Sequence, residues 1–169
     1  MHLHIVREFQ KTKKNMILLQ HMANYAENKK VHFDYEVMEE FEAGIELLGF
    51  EVKSIRAGRA VLAGSHVIVR GGEAYIIGMQ IPPYQAGNTL VTYDPLQSRK
   101  LLLTKKEIVT LEKAEGTKGL TIVPISLYNK KRKIKIRIAI VRGKKKFDKR
   151  ETIKKRDTDR DLRRELKTR

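Results

Sequence analysis

The residues with the clearest capacity for chemistry are the cations gathered at the carboxyl end of the chain. Between Arg142 and Arg169 there are fourteen lysines and arginines but only six acids, which leaves +8 of the chain's formal net charge of +16. Each Lys or Arg that sits on a phosphate releases condensed counterions, so such a surplus favours binding to nucleic acid. Because the sequence pI is also near 10.1, the chain is predicted to be a nucleic-acid-binding protein.

The same segment is poor in large apolar side chains, which are limited to Phe147, Ile153, Leu162 and Leu166. These residues cannot bury enough apolar surface to offset the entropy of ordering, so we expect residues 143–169 to be disordered alone and to fold against a polyanion. A membrane surface is the alternative polyanion. It is disfavoured because the four apolar residues do not line one stripe of a helix.

Catalytic and metal-binding residue types are poorly represented. The chain has no cysteine, which excludes disulfides, thiolate zinc sites and thiol catalysis. One carboxylate cluster could bind Mg²⁺ in a small nuclease; it comprises Glu36, Glu39, Glu40 and Glu42. No paired Asp, suitably placed His or phosphate-cradling glycine loop accompanies it, so we predict no enzymatic activity, no metal and no cofactor. A structural ribosomal protein or a generic RNA chaperone is the other alternative.

The elements that must position any binding residues lie between His32 and Arg142, where short β patterns dominate. Residues 67–69 and 74–77 flank Gly71-Gly72, a pattern typical of a β-hairpin. From residue 133 to 140, isoleucines alternate with mostly cationic residues, which predicts a strand with one buried and one cationic face.

Further elements follow from the same periodicities. Residues 33–37, 50–55 and 120–128 are predicted strands, the last with an edge or a bulge at Pro124 and a hairpin loop at 129–132. Residues 38–48 and 104–114 are predicted helices, the second with Thr104 as N-cap, Glu107 in a capping box and Gly116 at its end. We therefore predict a closed β-barrel of the oligonucleotide-binding type, because closure removes exposed strand edges.

Four motifs in order carry a more specific resemblance. They are Phe41-Glu42-Ala43-Gly44-Ile45, Glu51-Val52-Lys53-Ser54-Ile55-Arg56, Asp94-Pro95 followed by Arg99-Lys100-Leu101-Leu102-Leu103, and Gly143-Lys144-Lys145-Lys146-Phe147-Asp148-Lys149-Arg150. From about Asn28 to beyond Arg156, the chain resembles the small protein B family of bacterial tmRNA-binding (SsrA-binding) proteins. The resemblance implies an oligonucleotide-binding-type barrel with about three short helices. Its expected organisation is a poorly ordered leader at 1–27, a barrel at 28–142 and a basic tail at 143–169.

The resemblance also implies a role in trans-translation. The protein would bind the tRNA-like domain of tmRNA, support its charging with alanine, and deliver it to the A site of stalled ribosomes that lack intact mRNA. The tail, disordered in solution and helical on the ribosome, would occupy the empty mRNA channel and decoding centre, which enables ribosome rescue and peptide tagging.

The partners follow from the same resemblance, and the location follows from the first residues of the chain. The expected partners are tmRNA, the stalled ribosome with its small-subunit rRNA, and alanyl-tRNA synthetase and elongation factor Tu through tmRNA, with no membrane. Residues 1–28 lack the long apolar stretch and the small-residue cleavage site of a signal peptide. We therefore expect a cytoplasmic protein.

The site residues are carried over by position. Glu42, Leu102 and Thr104 match segments that bind tmRNA, although the family usually has Asn or His where this chain has Thr104. Phosphate or sugar contacts are expected from Asn28, Lys29, Lys30, Lys53, Ser54, Arg56, Arg99 and Lys100. Decoding-centre contacts are expected from Lys144, Lys145, Phe147, Asp148, Lys149, Arg150, Lys154, Lys155 and Arg156.

Ordinary structural roles remain open for these residues. The cations could be solvated surface charges, and Leu102 could be a core residue. Glu42 could be an acid in the first turn of a helix, where the macrodipole favours it. The family usually has His or Tyr where this chain has Phe147, which keeps the stacking ring, loses the polar tip, and could instead pack under the barrel.

Overall fold

Seven antiparallel strands form one sheet in the computed structural model, which describes residues 24–85, 87, 92–145 and 158. The strands are β1 (Asn24–Glu27), β2 (Tyr35–Ile45), β3 (His66–Arg70), β4 (Glu73–Ile77), β5 (Arg99–Leu102), β6 (Leu120–Lys130) and β7 (Lys133–Gly143). The described residues also form α1 (Val31–Asp34), α2 (Gly49–Arg56) and α3 (Lys105–Glu115). The strand order across the sheet is β1-β6-β7-β2-β5-β4-β3.

The three long strands β6, β7 and β2 form the centre of the fold, and alternate residues face opposite sides. On one side, Ile136 and Ile138 of β7 lie opposite Ala43 and Phe41 of β2 and belong to the main core. On the other side, a smaller apolar cluster around Val141 is covered by α1. That second side also carries Glu42 and Arg137, which lie opposite each other on β2 and β7.

The predicted closed barrel is wrong, because the sheet stays open between β3 and β1. β3 pairs with β4 along one edge, while on its other edge the backbone N–H of Val69 donates to the carboxylate of Glu115 at 2.8 Å. Glu115 ends α3, and this helix packs against both β3 and β6. The helix therefore lies beside the free edge of β3, and its terminal carboxylate accepts one backbone N–H of that edge.

Two predicted elements have the opposite secondary structure. Residues 38–48, predicted as a helix, lie mostly in β2. The spacing from Phe41 to Ile45 is four residues, and an even spacing also keeps both side chains on one face of a strand. Residues 50–55, predicted as a strand, lie in α2, which begins where the Glu51 carboxylate accepts the backbone N–H of Leu48 at 2.8 Å.

Other predicted elements are present with small changes of boundary. β3 and β4 form the predicted hairpin, with Gly71 and Gly72 at φ 60° and 73°. α3 begins at its predicted capping box. β6 has its predicted irregularity between Pro124 and Ser126, although it is an inner strand of the sheet. The segment predicted as residues 33–37 divides into the end of α1 and the start of β2.

The two ends of the chain are described only in part. Residues 24–27 of the predicted leader form β1, which pairs with β6, so the described fold begins before the predicted boundary at residue 28. The tail beyond residue 145, with its predicted disorder and bound helix, lies outside the described residues apart from position 158. No described helix is long and apolar enough to cross a membrane.

Candidate nucleic-acid interface

A groove of about 380 Å³ opens where the β6–β7 turn meets α2 and the end of β5. Four cations line it: Arg56, Arg132, Lys133 and Lys135. Its apolar lining includes Leu102 and Ile134, and none of the described residues that line it is acidic. Cations around an apolar surface are the combination that holds phosphates beside an unstacked base.

Local sequence chemistry builds the cationic rim of the groove. β6 and β7 are joined by a two-residue turn in which Lys131 and Arg132 have φ values of 48° and 66°, the positive values that such hairpin turns require. A guanidinium nitrogen of Arg56, at the end of α2, donates to the backbone oxygen of Arg132 at 3.4 Å. The turn thus lies beside the helix, and the cations of both elements face one space.

Leu102 is exposed at the groove, and Gly44 makes that position possible. The two residues are paired in register between β2 and β5. A Cβ at position 44 would lie 3.1 Å from the Leu102 Cβ, which is closer than ordinary packing allows. With glycine there, the leucine side chain lies over the sheet and is 56% exposed. The core position considered for Leu102 is therefore wrong.

Glu42 lies on β2 opposite Arg137 of β7, so its alternative as a residue in the first turn of a helix is wrong. Both carboxylate oxygens accept from the Lys130 Nζ at 2.7 Å, and one accepts the hydroxyl of Tyr128. The guanidinium of Arg137 lies 5.6 Å from the centroid of the Tyr128 ring. Glu42 therefore orients a lysine at the edge of the groove.

The electrostatics of this cluster keep Glu42 charged. Burial by itself raises the pKa of the Glu42 carboxyl, but the hydrogen bonds from Lys130 and Tyr128 outweigh burial and hold the pKa below its ordinary value. The pKa of the Tyr128 hydroxyl is raised by burial and by the adjacent Glu42 carboxylate. At neutral pH the cluster therefore contains an ionised carboxylate and a protonated phenol.

Two predicted RNA contacts are buried structural residues instead. Ser54 is fully buried, and its hydroxyl donates to the backbone oxygen of Pro82 at 2.5 Å. Arg99 is 3% exposed and forms an ion pair with Glu51 at 2.8 Å. Glu51 of the second motif and Arg99 of the third thereby join α2 to β5. Neither Ser54 nor Arg99 is available to a ligand on the surface.

The other residues outside the tail that were predicted to contact RNA do not lie together. Arg56 lines the groove and Lys53 is exposed on the same helix. Lys100 is paired with Glu73 on the neighbouring strand. The other three precede α1, outside the groove, and they are Asn28, Lys29 and Lys30.

Thr104 is the N-cap of α3. Its hydroxyl accepts the backbone N–H of Glu107 at 3.4 Å, while the Glu107 carboxylate accepts the backbone N–H of Thr104 at 2.8 Å.

We expect Thr104→Ala to lower the free energy of unfolding by about 1 kcal/mol and to leave RNA affinity unchanged. Thr104→Ser keeps the capping hydroxyl, so its free energy of unfolding and its RNA affinity should both equal those of the wild type. Denaturant unfolding and RNA titration of the two variants test this. Loss of RNA affinity at unchanged stability would instead assign Thr104 to the interface.

The carboxylates considered for a nuclease do not converge. Glu39 lies opposite Ile140 and Glu40 lies opposite Ala139 in the β2–β7 register, so these neighbours face opposite sides of the sheet. Within the described ranges, no group of three His, Asp or Glu residues could hold a metal ion.

Sequence reasoning missed several groove residues that carried a visible signal. Lys133 and Lys135 belong to the cationic face that the alternation of β7 predicted, and Arg132 belongs to the hairpin loop predicted at 129–132, of which Lys131 and Arg132 form the observed turn. Lys130, also in that predicted loop, is the last residue of β6 and pairs with Glu42. Both elements were recognised, but their charges were not assigned to a site. Of the predicted decoding-centre residues, Lys144 and Lys145 are described at the end of β7. Those from Phe147 to Arg156 lie outside the described residues.

An open antiparallel sheet with a basic groove that has an apolar lining defines the class of this protein: a small β-sheet protein suited to irregular nucleic acid. The family model described as "SmpB protein" matches residues 25–168. The chain belongs to the SmpB family.

Individual relatives agree with the family match. An SsrA-binding protein of Malacoplasma penetrans is 50% identical over 140 residues, which cover 83% of this chain and 95% of the relative. An SsrA-binding protein of Oleidesulfovibrio alaskensis is 50% identical over 141 residues, covering 83% and 90% of the two chains. A solved structure described as "tmRNA-SmpB: a journey to the center of the bacterial ribosome" is 41% identical. It has a TM-score of 0.61 and covers 72% of this chain and 85% of its own.

Proposed function

We propose that this protein binds the tRNA-like domain of tmRNA and accompanies it to ribosomes that have stalled without intact mRNA. The groove with four cations, no acid among its described lining residues and an exposed leucine carries the proposal. Membership of the SmpB family, whose relatives are SsrA-binding proteins, supports it. The protein acts in the cytoplasm by binding, and the ribosome performs the chemistry of peptide transfer.

The groove suits a folded RNA with exposed bases better than a uniform duplex. Its cations can neutralise phosphates on either side of a bend, and Leu102 offers an apolar surface for one unstacked base. The loops of a tRNA-like fold provide both features. Alanyl-tRNA synthetase and elongation factor Tu are then reached through the bound tmRNA.

The tail has a separate role in this proposal. The tail has 27 residues, which in a helix would reach roughly 40 Å at about 1.5 Å per residue, far enough to extend beyond the body. Its cations are drawn to the rRNA that lines an empty mRNA channel, whereas a messenger in the channel excludes the tail by volume and by competing phosphate charge. An empty channel thereby becomes the condition for entry.

The choice of RNA tests the proposal against a generic RNA-binding protein. We expect the protein to shift tmRNA in a gel at salt concentrations that remove it from an unrelated tRNA and from duplex RNA. Phosphate contacts alone weaken equally on all three RNAs as salt rises, because they carry no shape or sequence information. Equal affinity for the three RNAs would contradict the proposal and support the generic alternative.

Truncation tests whether the residues before the tail bind tmRNA while the tail is needed only on the ribosome. A chain that ends after Lys145 keeps all of β7 and the contacts of Lys144 with α1. We expect its unfolding free energy and its tmRNA affinity to stay within error of the full chain, while peptide tagging on stalled ribosomes is abolished. Thermal unfolding, RNA titration and a tagging assay measure the three quantities. Loss of tmRNA binding on truncation would contradict this division.

A further inference from the structure

Lys144 bonds the root of the tail, residues 143–145, to α1 through both its backbone and its side chain. Its backbone N–H donates to the carbonyl oxygen of Asp34 at 3.0 Å, and its Nζ donates to the carbonyl oxygen of His32 at 2.8 Å. Both carbonyls belong to the single turn of α1, Val31–Asp34, where they have no partner within the helix. Lys144 thus completes the helix end with both its backbone and its side chain.

α1 is itself held firmly on the sheet. Val31 is 1% exposed and packs in the cluster that contains Val123, Ile125 and Val141. Its backbone N–H donates to the carbonyl oxygen of Asn28 at 3.1 Å, and the backbone N–H of Asn28 donates to Ile125 at 2.8 Å. A continuous set of contacts therefore joins β6, Asn28, α1 and the tail root.

We propose that Lys144 is a positioning residue that fixes the direction in which the tail leaves the body, with α1 and Asn28 as its support. This inference rests on the proposed function and adds the residue that aligns the tail with the mRNA channel. Restricting the tail root before binding lowers the entropy that must be lost when the tail enters the channel. Asn28, expected as an RNA contact, supports the tail root in this arrangement.

The test compares two variants of the full chain, Lys144→Met and Lys145→Met. Each removes one cation from the tail root, but the second leaves both bonds of Lys144 in place. We expect Lys144→Met to lower peptide tagging on stalled ribosomes at least fivefold and Lys145→Met to lower it less than twofold, with tmRNA affinity within twofold of wild type in both. In the free protein, the amide of residue 144 should exchange with solvent at least threefold faster in Lys144→Met. Lys144→Arg should restore at least half of the lost tagging.

Each contrary result has one meaning. Wild-type tagging by Lys144→Met, or an equal loss in Lys145→Met, would overturn the assignment of the positioning role to Lys144. Unchanged amide exchange in the free protein would overturn it independently of any ribosome. If the wild-type protein neither bound tmRNA nor supported tagging, the proposed function would fail, while amide exchange would still decide whether Lys144 holds the root.

Discussion

Replacement of Arg99 by methionine is expected to destabilise the fold by about 3–5 kcal/mol, because it leaves the buried Glu51 carboxylate without its cation. The two side chains are only 2% and 1% exposed. The guanidinium also donates to the backbone oxygens of Met79 at 2.7 Å and Pro95 at 3.0 Å. One residue therefore joins α2, β5 and the loop before β5.

Denaturant unfolding measures this loss, and a double variant provides the control. In Glu51→Gln with Arg99→Met, no unpaired charge remains in the core, so the double variant should be less destabilised than the sum of the two single variants. A small domain has only about 5–15 kcal/mol of stability, so Arg99→Met should unfold at a much lower denaturant concentration. Wild-type unfolding by this variant would show that the pair contributes little.

The same pair makes stability depend on pH. Burial by itself raises the pKa of the Glu51 carboxyl, but hydrogen bonds from the Leu48 N–H, Arg99 and Tyr93 outweigh burial and hold the pKa below its ordinary value. Burial and Glu51 raise the pKa of Tyr93 to about 12, so the phenol stays protonated. At pH values above the unfolded-state pKa of about 4.3, ionised Glu51 makes its full contribution to the stability of the fold. This stabilisation is lost as the pH falls through the lower pKa that Glu51 has in the folded state. Glu51→Gln should flatten this loss in acid.

The largest effect on binding is expected from removing the cations of the groove together. In the variant Arg56→Gln, Arg132→Gln, Lys133→Gln and Lys135→Gln, tmRNA affinity should fall roughly 100-fold near physiological salt. The slope of log affinity against log salt should also become shallower by about 3, since each lost phosphate contact removes about 0.7–0.9. Titrations of tmRNA at several salt concentrations measure both quantities.

A matched control separates the groove from overall charge. Four exposed lysines lie on or just after α3, outside the residues that line the groove, and they are Lys105, Lys106, Lys113 and Lys118. Changing these four to glutamine removes the same net charge but no groove cation, so tmRNA affinity and the salt slope should change much less. Equal losses in the two variants would place tmRNA binding elsewhere on the surface.

Much of the function class is encoded in features that need no tertiary contact. The charge surplus, the absence of cysteine and the low apolar content of the tail act through composition, and they indicate a nucleic-acid-binding protein directly. The hairpin at Gly71-Gly72 and the capping box at Thr104 and Glu107 formed as predicted, because turn and cap chemistry involve residues close in the chain. The cationic face of β7 was predicted from the alternation of isoleucines with mostly cationic residues, which repeats every two residues as in a strand.

Tertiary structure alone decided the openness of the sheet, the position of the groove and the roles of Ser54 and Arg99. Each depends on residues distant in sequence: Glu115 reaches the edge of β3 at Val69, and Arg99 neutralises Glu51 inside the fold. Burial reverses the expectation for a charged residue, since an arginine that reads as a surface cation becomes a core residue once a carboxylate is placed against it. The sequence by itself thus determined that the protein carries charge for nucleic acid, and the packing of distant segments determined which charges reach the surface.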